Sequence, residues 1–91
     1  MAGWMRKIEV DEDNIAKHGV SEDEVRECLN SRGIKYFRKA RQDAYQVIAQ
    51  TLAGRYLEVI YKIRPNLVQV FHAMDARPWQ IKLLKRRGKR S

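Results

Sequence analysis

The sequence predicts an α+β domain: two short N-terminal helices, an antiparallel sheet of three to five strands, and one C-terminal helix. Two observations carry this. Helix start and stop signals crowd the first thirty residues, and from Ile34 the apolar pattern changes to a period of two. A proline-headed apolar stretch then closes the chain. The expected order is β-α-α-β-β-β(β)-α, with the helices on one side of the sheet.

The opening "RKIEV" reads as a short strand. Asp11 is an N-cap for the first helix, and the acidic residues after it suit the helix dipole. Val10 and Ile15 stand at the spacing of a hydrophobic staple, and Gly19 suits a left-handed helix end. Ser21 and Glu24 then form a capping box, with Val20 and Val25 as a second staple. Val25, Cys28 and Leu29 recur at i, i+3, i+4 and predict one buried face.

Strands are expected at about 34–38, 44–51, 55–63 and 66–74. In the third, Leu57, Val59, Tyr61 and Ile63 share one face, while Tyr56, Glu58, Ile60 and Lys62 share the other. "AG" before Arg55 and "RPN" before Leu67 are turn signals of an antiparallel meander. Pro78 heads the last helix, about 78–87, with Trp79, Ile81, Leu83 and Leu84 as packing residues.

Ninety-one residues make one small domain, 1–91, with about 88–91 as a frayed basic tail. No apolar run is long enough for a membrane helix, and "MAGWMRKIEV" lacks the apolar stretch of a secretory signal. The single cysteine, Cys28, has no internal partner, so a reducing cytoplasm is the expected location. Two histidines and one cysteine offer no ligand pair at metal-binding spacing, so no metal and no cofactor are expected. Phosphate-binding glycine loops and the hydrolase nucleophile elbow are absent as well.

Net charge is +8 and unevenly placed. Residues 1–31 hold four basic side chains against eight acidic ones; residues 32–91 hold 15 basic against three acidic. Such a molecule can meet a polyanion with its second part while the first part faces away. The two N-terminal helices do not make a DNA-reading helix-turn-helix, because Glu22, Asp23, Glu24 and Glu27 would repel phosphates. Lys82, Lys85, Arg86 and Lys89 fall on one stripe of the last helix, which fits either a phosphate track or ordinary dipole and solubility placement. Arg38, Lys39 and Arg41 form a second basic cluster at a turn between strands, suited to positioning phosphates.

His18 has two readings. Beside a helix-ending glycine, it can simply cap carbonyls; as an imidazole, it can also act as a general base or acid. His72 alternates with Val68, Val70 and Met74 and is expected to be a buried, hydrogen-bonded histidine.

"DEDNIAKHGVSEDEVRECL", then "YQVIAQTLAGRYLEVIY" and "MDAR", together resemble the BrnT-like toxins of bacterial type II toxin–antitoxin systems. That family opens with a D-x-N-x-x-K/R-H-G-V-x-x-x-E-V stretch, continues with a G-x-T-x-x-G-R-x-L hairpin, and places A-R at the head of its last helix. The likeness runs from about Ile8 to Arg87. It implies a RelE-like fold, RNA cleavage without a metal, and neutralisation by a cognate antitoxin, a small DNA-binding protein. DNA would then be reached only indirectly, through that antitoxin.

By position, His18, Arg55 and Arg77 match recurring residues of the family. On this resemblance His18 and Arg77 are the expected catalytic residues, as base or acid and as phosphate clamp. Arg38, Arg41, Arg55, Lys82, Lys85 and Arg86 are the expected RNA contacts. Ala44, Ala49 and Leu83 depart from the family, which often has arginine, glycine and glutamate about there. They leave a second reading open, a catalytically weak or inactive RNA- or protein-binding module on the same scaffold. A homodimer is compatible with the sequence.

Overall fold

The structure is a computed structural model and describes residues 7–31, 35–40 and 43–88, with side chains through Arg86. The elements run β1 (Lys7–Val10), α1 (Glu12–Ala16), α2 (Glu22–Asn30), β2 (Tyr36–Lys39), β3 (Ala44–Gln50), β4 (Tyr56–Ile63), β5 (Leu67–Asp75) and α3 (Pro78–Gly88). The five strands form one sheet in the order β1-β5-β4-β3-β2. β2 to β5 are an antiparallel meander, as the turn signals imply.

Two expectations about the sheet need correction. It is mixed rather than antiparallel, because β1 pairs in parallel with β5, Lys7 opposite Leu67 and Val10 opposite Val70. An alternating pattern marks "KIEV" as a strand but carries nothing about its neighbour. The helices also cover both faces of the sheet. Val25, Cys28 and Leu29 of α2 join Val47, Ala49, Leu57, Val59 and Tyr61 in one core. Ile48, whose side chain points to the other face, is equally buried, together with Leu84 and Gln80 of α3. β3 is therefore buried on both sides, at about 1.5–3 kcal/mol for each large apolar side chain removed from water.

α1 and α2 begin and end as their sequence requires. The Asp11 carboxylate accepts the Asn14 N–H, and Ser21 and Glu24 close a full capping box. After α1, Gly19 N–H donates to Ala16 O at 3.0 Å and Val20 N–H to Ile15 O at 3.3 Å, a Schellman arrangement. Gly19 sits at φ +69°, a conformation that favours glycine.

β5 carries a bulge. Ile60 pairs with His72 but Tyr61 pairs with Val70, so Phe71 is the extra residue. The Asn14 Nδ2 donates to the Phe71 carbonyl at 2.6 Å and ties α1 to that point. The bulge breaks the alternation through Val68, Val70 and His72. His72 consequently faces the same side as Ile60, and a quarter of its side chain is exposed. The expected buried histidine is thus corrected.

Candidate functional site

A line of polar groups, ending at the Arg77 backbone, crosses the α3 face of the sheet. The His18 ring meets the His72 ring edge to face, with centroids 5.4 Å apart. His72 Nε2 lies 3.6 Å from Glu58 Oε2, an ion-pair separation when the imidazole is protonated. Glu58 Oε1 in turn accepts a 2.6 Å hydrogen bond from Gln80 Nε2. Gln80 Oε1 accepts the Arg77 N–H at 2.7 Å. His18 and Arg77, expected to act together, stand at the two ends of this line.

Each member is placed by its element. The Schellman turn satisfies the α1 terminus through backbone groups, so the exposed His18 ring is not needed as a cap. β4 and β5 supply Glu58 and His72 on the same face, and the bulge brings His72 there. Arg77 heads α3 just ahead of Pro78, and its N–H is held by Gln80 three residues on, as in half of a capping box. Glu58 is 5 % exposed and Gln80 1 %, yet both are hydrogen-bonded, which removes the main penalty for burying them.

Chemically the line offers two imidazoles side by side, one exposed and one backed by a carboxylate. The Glu58 carboxylate faces the His72 ring at 3.6 Å, an ion-pair rather than a hydrogen-bond distance. The Arg77 side chain is exposed, with no charged partner among the described residues. It is therefore available for an anion. Among the described residues no three His, Cys, Asp or Glu side chains are grouped to hold a metal ion.

Arg55 lies elsewhere and is engaged through its Nε and Nη1. Its Nε donates to Asp75 Oδ1 at 2.7 Å, and its Nη1 donates to Gly19 O and to both Glu24 oxygens at 2.9–3.1 Å. Asp75 first, and then Glu24, raise the Arg55 pKa above its ordinary value. The residue works as a tie between the β3–β4 turn, the α1–α2 turn and the end of β5. That tie fixes the segment that carries His18.

Of the expected RNA contacts, Lys82, Lys85 and Arg86 form an exposed stripe on α3, and Arg38 is exposed on the edge strand β2. α3 packs against β3 and β2, which puts Arg38 and the stripe on neighbouring elements. Arg41, and Lys89 of the stripe, lie outside the described residues. Cys28 is buried and its thiol is pushed up to about 12 by burial, then by Glu27 and Glu24, so it is unfit as a nucleophile.

Sequence reasoning missed Glu58, His72 and Gln80 as site members. The legible signal was Glu58, the one carboxylate in β4 and one of three acidic residues in 32–91. Compared with family models, with curated proteins and with solved structures, the chain matches none. No helix is long and apolar enough to cross a membrane.

Proposed function

We propose that this protein is a small ribonuclease that cleaves RNA without a metal, in the manner of a BrnT-like toxin restrained by a cognate antitoxin. The single observation that carries the reading is the His18–His72 contact with Glu58 behind it. Cleavage needs a base to take the 2′-hydroxyl proton, cations to steady the charged phosphorane, and an acid for the leaving 5′-oxygen. Exposed His18 is the base, and the 2′-oxygen attacks phosphorus. His72 hands a proton to the departing 5′-oxygen, leaving a 2′,3′-cyclic phosphate. Arg77 clamps the phosphate, and Arg38, Lys82, Lys85 and Arg86 hold the chain on either side.

The second reading is a binding module that catalyses nothing. Leu83 favours it, a half-buried apolar residue where the resemblance leads one to expect a glutamate. Ala44 and Ala49 are both buried in β3, where they pack rather than face a substrate.

Purified protein incubated with labelled RNA in EDTA separates the two. The nuclease reading expects products ending in cyclic phosphate, and their loss in His18→Ala, His72→Ala and Arg77→Ala. Intact RNA with salt-sensitive binding selects the module. Cleavage unchanged in all three variants overturns the assignment of the site.

A further inference from the structure

Beside the polar line lies a cleft that it does not use. Its volume is about 440 Å³, and its walls include Gln50, Thr51, Leu52, Tyr56, Leu84 and Lys85. From the geometry we infer that this cleft is a nucleobase subsite for single-stranded RNA, in which a base stacks against Tyr56 while Lys85 meets the adjoining phosphate. The inference rests on the RNA reading of the neighbouring site and names where the next part of the same strand lies.

Three observations converge on that occupant. The first is placement. Tyr56 and Glu58 are two residues apart on one face of β4, which is about 7 Å. Leu84 is one turn of α3 beyond Gln80, about 6 Å. The cleft thus adjoins the Glu58–Gln80 pair along both walls, and a strand lying over the polar line reaches it without a break.

The second is chemistry. The Lys85 ammonium stands 5.8 Å from the centre of the Tyr56 ring, an aromatic plane and a cation held together. That combination recognises a base with its phosphate. Leu52 is 89 % exposed at the cleft, an apolar surface for the flat side of a base. Gln50 Nε2 is held by the Gly54 carbonyl at 3.0 Å, which leaves Gln50 Oε1 as an acceptor for a base amino group.

The third is charge. Lys82 and Arg86 flank Lys85 on the same stripe, and residues 32–91 carry 15 basic against three acidic side chains. An anionic occupant matches this rim, and a cationic one does not. Sizes of a few hundred Å³ are usual for small-ligand sites, so a nucleotide is well within the space.

The test uses the full chain and a fluorescein-labelled 2′-O-methyl tetranucleotide, which lacks the 2′-hydroxyl and resists cleavage. Anisotropy titrations compare wild type with Tyr56→Leu, Tyr56→Phe and Lys85→Gln. Tyr56→Leu is expected to weaken binding by about tenfold, the usual scale for one stacked base, while Tyr56→Phe stays within about twofold. Lys85 is exposed, so Lys85→Gln should keep the fold and reduce the slope of log affinity against log salt by about 0.7. If Tyr56→Leu leaves binding unchanged, or wild type does not bind the probe, the subsite is overturned. Cleavage of ordinary RNA by wild type together with a silent Tyr56→Leu removes the subsite and leaves the nuclease standing. Tyr56-dependent binding without any cleavage keeps the subsite and removes the nuclease.

Discussion

His18 and His72 touch ring to ring, 5.4 Å between centres, although one ends the first helix and the other follows a bulge in the last strand. Neither position is forced by its neighbours in sequence alone. The contact exists because Asn14 holds the bulge carbonyl and Arg55 holds the Gly19 carbonyl, so the loop and the strand are fixed to one another.

Glu58→Gln isolates the contribution of the carboxylate behind His72. The substitution keeps the size of the side chain but removes the charge facing Nε2. RNA cleavage in EDTA should fall by about 100-fold, the low end of the range for a proton-transfer group, because Glu58 acts through His72. Oligonucleotide binding should stay level. A rate equal to wild type would remove Glu58 from the site.

Arg55→Ala should cost about 1–2 kcal/mol in chemical denaturation. The ion pairs are partly exposed, which limits each to a small contribution, but the loss also removes the Arg55 donor from Gly19 O, Asp75 and Glu24 together. Cleavage should fall as well, through displacement of the His18 loop rather than loss of an RNA contact. A variant as stable as wild type but weaker in RNA binding would restore Arg55 to the RNA surface.

Acid should destabilise the fold partly through Glu24. The Ser21 N–H, and then the Arg55 guanidinium, hold its carboxyl below the ordinary value of 4.5. A carboxyl that is more acidic folded than unfolded adds stability above the unfolded pKa and loses it as pH falls through the folded pKa. Wild type should therefore lose stability below about pH 4.5 more steeply than Glu24→Gln, which is already weaker at pH 7. Equal slopes in pH-dependent denaturation would contradict this coupling.

Much of the fold was legible in the sequence because its signals are local. Asp11, Ser21 with Glu24, Gly19 and Pro78 each act within a few residues, and the structure uses each where the spacing placed it. The period-two pattern in 56–63 likewise assigns each residue to a face, since alternation follows from backbone geometry. Tertiary structure decided the rest. Which strand β1 joins, which face α3 covers, and the bulge at Phe71 that turns His72 toward Glu58 all depend on contacts between distant segments. The sequence determined the charge asymmetry, the elements and the two histidines. Only packing could bring those histidines together, because their contact is fixed by groups that local spacing does not link.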